Sequence, residues 1–329
     1  MYVPLVTPAL QYLERRKGGG GGSKGGGSSG SSGSTGKGST GSSGSSSGGR
    51  GSTVPLAGSN GVTGSRSVST YNSGGGKQIT IPSGQVFSGR TAGGATRDQV
   101  AGTRAYGSGY PGVATRGVYN RGFPFWFWPV VWGGAFGGGG AYLVDHEYGD
   151  SYNTSRVGGP MMEATFVSNN TSSGSQSNAT TFHLLADNST VSALLPLLVS
   201  NCSSNLQSQG SSTNQTSQTP AAVNTSSTGA PQPFQAVQYY RASSVVLTLD
   251  GYNNSATLGT DDSIAGDETA DTPLPSGIDL TLLDCLNQTI IQAAPLVDAA
   301  GGLRLGGAPS MQGMLGLAIA IWCLFGSFL

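Results

Sequence analysis

The chain has 329 residues, of which 56 are glycine and only 10 % are charged, against roughly 25 % in ordinary soluble domains. Glycine and serine crowd the first third, which excludes one packed globule over the whole length and moves the material for a core further along. The formal net charge of zero conceals a split, because residues 1–122 hold 13 Lys/Arg and 2 Asp/Glu while residues 123–329 hold 3 and 14. A basic arm joined to an acidic domain is the pattern of a chain whose arm meets anionic lipid, polysaccharide or nucleic acid.

In chain order, Met1–Lys17 comes first, an apolar run broken by Pro4 and Pro8 and closed by the dibasic pair Arg15-Arg16. It has the place of a secretory signal but lacks the basic start and unbroken apolar stretch that such a signal uses, and so reads as a weak or truncated one. From Gly18 to Ser52, 30 of 35 positions are Gly or Ser. Nothing in such a segment offsets the entropy of ordering it, so a disordered basic Gly/Ser-rich arm is expected over 18–122, with a short extended piece at Gln78–Pro82.

Residues 123–144 read FPFWFWPVVWGGAFGGGGAYLV, 22 positions without a charge. The length suffices for a bilayer span, and the aromatics suit a membrane interface. Six glycines and two prolines weaken a helix there. Two readings are open: a transmembrane segment, which would place the arm inside and the domain outside, or an aromatic loop packed on the folded domain.

Residues 145–298 carry β-branched and aromatic clusters at Glu163–Val167, Thr180–Leu185, Ala236–Tyr240 and Ser244–Leu249, which read as strands. Asn188-Ser-Thr before Val191–Val199 is a cap signal leading into an apolar helix that Pro196 would kink or shorten. A second helix is expected from near Ser276 or Asp279, with Leu282, Leu283, Leu286 and Ile290 on one face. Residues 203–235 form an inserted polar loop. The fold class expected is a small α+β domain of 3–4 strands and 2 helices between the arm and an apolar C-terminal tail.

Compartment signals accumulate in this half. Asn-x-Ser/Thr sequons stand at Asn153, Asn169, Asn170, Asn178, Asn188, Asn201, Asn214, Asn224, Asn253 and Asn287, and none precedes residue 150. N-glycans are added only in the secretory pathway, so a luminal or extracellular location is expected. Cys202 and Cys285 would then pair, with two buried thiols as the alternative. The third cysteine, Cys323, lies in the apolar terminus Met314–Leu329. Small residues from Asp298, a weakly polar spacer and a terminal apolar run make up the order of a GPI-attachment signal. Asp298 is the expected attachment residue, with Gly301 or Ser310 as alternatives and a tail helix as the competing reading of 299–329.

The runs Arg156–Phe166, Phe182–Thr190, Ala236–Tyr252 and Pro273–Asp279, following a basic Gly/Ser arm and the block Phe-Trp-Phe-Trp-Pro-Val-Val-Trp-Gly, resemble an uncharacterised family of secreted or membrane-attached Gly/Ser-rich basidiomycete fungal proteins. The resemblance implies surface or secretory placement and no activity.

Residues with catalytic chemistry are few. His146 and His183 are the two histidines; His183 sits in an expected strand and reads as solvent-facing. Asp145-His146-Glu147 with Asp150 has cation-binding side chains but reads as a polar flank, and Asp261, Asp262, Asp267, Glu268 and Asp271 read as a solvated acidic loop that lacks calcium-loop order. No cofactor is implied. The expectation is a non-enzymatic surface or cell-wall glycoprotein whose partners are the membrane or wall, with anionic lipid or polysaccharide meeting the arm and no nucleic acid. The alternatives are a secreted enzyme with an unrecognised site and nucleic-acid binding through the arm.

Overall fold

The computed structural model describes residues 53–55, 67–69, 77–112, 115–132, 140–170, 180–207, 216–223, 229–258 and 270–297. Two short antiparallel pairs come first, β1 (Thr53–Pro55) with β2 (Ser67–Ser69) and β3 (Ile79–Thr80) with β4 (Thr91–Ala92). The main sheet holds β5 (Met161–Val167), β6 (Thr181–Asp187), β7 (Ala221–Ala222), β8 (Ala236–Tyr240) and β9 (Val245–Leu249) in the order β7-β5-β6-β9-β8. Every pairing in it is antiparallel. Two helices complete the α+β domain, α1 (Asn188–Asn201) and α2 (Leu280–Ala293).

The expected strands and helices form where the sequence places them, shifted by up to three residues at their ends, and α1 already includes the Asn188-Ser-Thr expected to cap it. Asp187, the last residue of β6, caps α1 by accepting from the Thr190 amide at 2.9 Å. Pro196 lies inside α1 without ending it. Its ring is on the solvent side, and the carbonyl it leaves without an amide partner belongs to exposed Ser192, where water can serve. Asp279 caps α2 through the amides of Thr281 and Leu282, and the expected face of Leu282, Leu283, Leu286 and Ile290 is buried.

Register assigns the two faces of the sheet. Phe166 stands opposite Phe182, which stands opposite Leu249, and on that face the Tyr240 hydroxyl donates to Asn287 of α2. Tyr239 and Met161 point to the other face. There Tyr106 and Trp132 pack on Tyr239 with ring centroids 5.6 and 6.5 Å away, and the Val131 amide meets the Met161 sulfur at 3.2 Å.

That second face is covered by the segment whose two open readings are a bilayer span and a loop packed on the domain. Phe123, Phe125, Phe127, Trp128, Val130, Val131 and Trp132 are buried in the core, and no described helix is long and apolar enough to cross a membrane. The transmembrane reading of 123–144 is therefore corrected in favour of the packed loop over its described residues 123–132 and 140–144. Pro124 and Pro129 weaken the helix that would satisfy this backbone inside lipid. On the sheet the backbone finds other partners, with the Val130 amide donating to Ser243 O at 2.8 Å and the Phe123 amide to Thr91 O at 2.9 Å. Each large ring buried there contributes about 1.5–3 kcal/mol.

The folded part also begins earlier than expected. Residues 77–112 and 115–122 belong to it, with Ile81, Val100, Tyr106, Tyr110 and Val118 in the core, so disorder over the whole of 18–122 is corrected at its C-terminal part. Gly18–Ser52 lies outside the described residues. Residues 100–103 pair along β8, with the Gly102 amide donating to Tyr239 O at 2.9 Å and the Arg241 amide to Val100 O at 2.7 Å. This covers an edge that would otherwise expose a row of unpaired backbone groups. Because residues 77–132 and 145–297 build one core, no membrane passes between them, and the topology with the arm inside and the domain outside is withdrawn for residues 77–122.

Candidate functional site

His183 lies in the middle of the sheet, opposite Thr165 of β5 and Thr248 of β9. It is only 9 % exposed, which corrects the expectation of a solvent-facing ring. Its Nδ1 meets Glu163 Oε1 at 2.7 Å, and its Nε2 meets Asp250 Oδ1 at 3.1 Å. Burial disfavours the charged ring, but the hydrogen bonds and charges of Asp250 and Glu163 outweigh it and push the His183 pKa up to about 9. Two carboxylates hold both ring nitrogens as donors, which leaves the imidazolium no lone pair with which to take up a proton. The arrangement is an ionic clamp that joins β5, β6 and the residue following β9.

The acidic flank of the aromatic segment does not converge. Glu147 pairs with Arg90 and accepts from the Asn120 amide at 2.7 Å, while Asp145 Oδ1 accepts from the Glu147 amide at 2.8 Å. Among the described residues no group of His, Cys, Asp and Glu is arranged to hold a metal ion. Asp261, Asp262, Asp267 and Glu268 lie outside the described residues. Asp271, at the base of that loop, accepts from Asn254 at 2.7 Å, and the Thr272 amide donates to Asn254 Oδ1 at 3.0 Å.

Five arginines counted in the basic arm turn inward. Arg97 donates to the carbonyl of Ala294 at 2.6 Å, Arg104 to that of Thr272 at 3.1 Å and Arg116 to that of Ala256. Arg121 donates to Gly107 O at 3.0 Å, and Arg90 takes Glu147. Burial lowers the pKa of Arg97 to about 10. Arg90, Arg97, Arg104 and Arg116 fasten residues 77–122 to the second half, while Arg121 ties Gly107, Thr115 and Arg116 within that stretch. The basic residues from Arg15 to Arg66 lie outside the described residues.

Cys202, just after α1, is joined to Cys285 of α2 with a Cα–Cα distance of 5.9 Å across a sequence separation of 83. Both halves of the bond are buried. Closing a loop of that size restricts the unfolded chain by about 4–5 kcal/mol in the chain-entropy account. Cys323, Asp298, Gly301, Ser310 and the tail 299–329 lie outside the described residues.

At the end of the sheet where the β8–β9 turn lies, Arg241 is fully buried. It donates to Asp187 Oδ2 at 2.8 Å, to the Thr190 hydroxyl at 2.9 Å and to Pro295 O at 2.5 Å. Its guanidinium carbon stands 3.6 Å from the centre of the Phe127 ring. One side chain thereby ties β6, the start of α1, the segment after α2 and the aromatic layer. The signal for it in the sequence is its position: Arg241 is one of three Lys/Arg residues after position 122 and sits between two apolar strands, where a charge has to find an internal partner.

The sequons divide by surroundings. Asn169, Asn170, Asn188 and Asn253 are exposed, and Asn153 is half-buried. Asn201 has a buried amide nitrogen with no hydrogen-bond partner among the described residues, and Asn287 accepts from the Tyr240 hydroxyl. Asn178, Asn214 and Asn224 lie outside the described residues. No protein-family profile, curated protein or solved structure matches the chain significantly.

Proposed function

We propose that this protein is a non-enzymatic glycoprotein of a fungal cell surface, exported through the secretory pathway and held at the membrane or cell wall by its C-terminal tail, with a structural or interaction role. The observation that carries the reading is the buried Cys202–Cys285 bond. Disulfides of this structural kind are formed in oxidising compartments and are rare in the cytosol. The sequons, with exposed asparagines at 169, 170, 188 and 253, support the same route. The order of small residues at Asp298, spacer and apolar run supports lipid attachment at Asp298 by a GPI anchor, with a tail helix as its rival. The remaining basic residues, Arg15 to Arg66 and exposed Lys77, suit anionic lipid or polysaccharide. The inward use of Arg90, Arg97, Arg104, Arg116 and Arg121 argues against nucleic-acid binding through the whole arm.

The test uses protein from its native cells. Peptide N-glycosidase should lower the apparent mass, and phosphatidylinositol-specific phospholipase C should release the chain from intact cells. No mass change would contradict passage through the secretory pathway. A mass change without release would replace the GPI anchor by the tail helix.

A further inference from the structure

From the surroundings of each asparagine we infer that N-glycans stand at Asn188, at Asn253 and at one of the adjacent pair Asn169 and Asn170, whereas Asn201 and Asn287 stay bare although both are sequons. The inference rests on the secretory reading above and goes beyond it by assigning the modified residues. In the transfer, the asparagine amide nitrogen attacks the anomeric carbon of an oligosaccharide carried on a lipid diphosphate. The nitrogen–carbon bond forms, the carbon–oxygen bond to the diphosphate breaks, the amide loses one proton, and the lipid diphosphate departs. The product keeps a bulky polar chain on that nitrogen, so the folded domain accommodates it only where the nitrogen faces water.

Asn169 and Asn170 follow β5 at the sheet end and are exposed, as is Asn253 just after β9; the Asn169 amide nitrogen donates one hydrogen to Ser204 O at 2.9 Å and keeps the other for the glycan bond. Their sequons overlap at 169 and 170, so a glycan on one blocks the transferase from the other. Asn188 begins α1 and is exposed on its first turn. Asn201 and Asn287 lie in the helix pair beside the disulfide, one residue before Cys202 and two after Cys285. The Asn201 nitrogen is buried. The Asn287 carboxamide oxygen receives the hydroxyl of Tyr240, itself fully buried, which turns this side chain toward β8. A glycan at either place would force α2 away from β8 or part α1 from α2.

The experiment is site mapping on the wild-type, disulfide-bonded protein from native cells, deglycosylated by peptide N-glycosidase in heavy-oxygen water so that each formerly glycosylated asparagine becomes a labelled aspartate. Label at Asn188, at Asn253 and at Asn169 or Asn170, with none at Asn201 or Asn287, is the expected result. Label at Asn201 or Asn287, or its loss from any of the three expected places while other sequons carry it, overturns the assignment. No label anywhere would overturn the secretory reading itself. As a check independent of mapping, Asn253→Gln should remove one glycan from the gel pattern and Asn201→Gln none; the reverse pattern overturns the assignment.

Discussion

Asp187 and Arg241, 54 positions apart in the chain, meet at 2.8 Å with side chains 3 % and 0 % exposed. Asp187 caps α1 at the same time, accepting from the Thr190 amide and from the hydroxyls of Ser189 and Thr190 at 2.7 and 2.6 Å. The partner's position is fixed by an irregular turn in which Arg241, Ala242 and Ser243 have φ of 50°, 47° and 58°. Three consecutive left-handed residues without glycine are unfavourable. They persist because Val130 bonds to Ser243 O, Ser244 Oγ bonds to Arg241 Nε, and the guanidinium bridges four parts of the domain.

Removing one member of the pair leaves an uncompensated buried charge. Arg241→Met and Asp187→Ala should each lower the unfolding free energy by about 3–5 kcal/mol, measured by denaturant titration of residues 77–297 with the disulfide intact. The double variant should lose clearly less than the sum of the two. Additive losses would show that the pair is not coupled.

The His183 clamp sets a pH dependence of defined sign. The folded protein holds the imidazolium proton with a pKa near 9, above the unfolded value of about 6.5. The stabilisation is therefore complete below pH 6.5, and it is lost as pH rises through 9. Wild-type stability should fall across that window, whereas His183→Gln should start lower and stay flat there. An unchanged slope in the variant would assign the dependence to other groups.

Gly158 has φ +87°, and a Cβ built on it would stand 2.0 Å from the Asp187 carboxylate. Gly158→Ala should accordingly displace the cap of α1 and unfold the protein several degrees earlier. Gly112, with φ +71° and nothing within 4 Å, should cost only about 1 kcal/mol of backbone strain on the same change. Thermal melts of the two variants compare a collision with strain alone.

The strands and helices were legible in the sequence because their signals are local. β-branched runs mark β5, β6, β8 and β9, Asp279 marks the start of α2, the Asn188-Ser-Thr signal lies just inside the start of α1, and two cysteines beside helices suggest their bond. What stayed hidden depends on pairing across distance. The His183 clamp appears only when register sets Glu163, His183 and Asp250 side by side. The arginines from Arg90 to Arg121 look like a solvated basic run until carbonyls 140 or more residues away are brought to Arg104, Arg116 and Arg97. The aromatic block was ambiguous for a related reason, since a charge-free stretch suits either lipid or a protein core, and only the sheet face that it covers decides.

That cover supplies a test by truncation. Residues 145–297 alone would leave Tyr239 and Met161 without Tyr106, Trp132 and Val131, and should be aggregated or expanded by light scattering. Residues 77–297 should be monomeric and cooperatively folded. A stable, cooperative 145–297 would show the aromatic layer to be dispensable.

The reading of this protein as a product of the secretory pathway is tested most directly by the state of Cys202 and Cys285 in the cell. Thiols are to be trapped by alkylation at the moment of lysis, and the chain then digested without reduction and analysed by mass spectrometry. The account predicts one cross-linked peptide pair joining Cys202 to Cys285 and no alkylated form of either; alkylated Cys202 and Cys285 in the folded protein would contradict it.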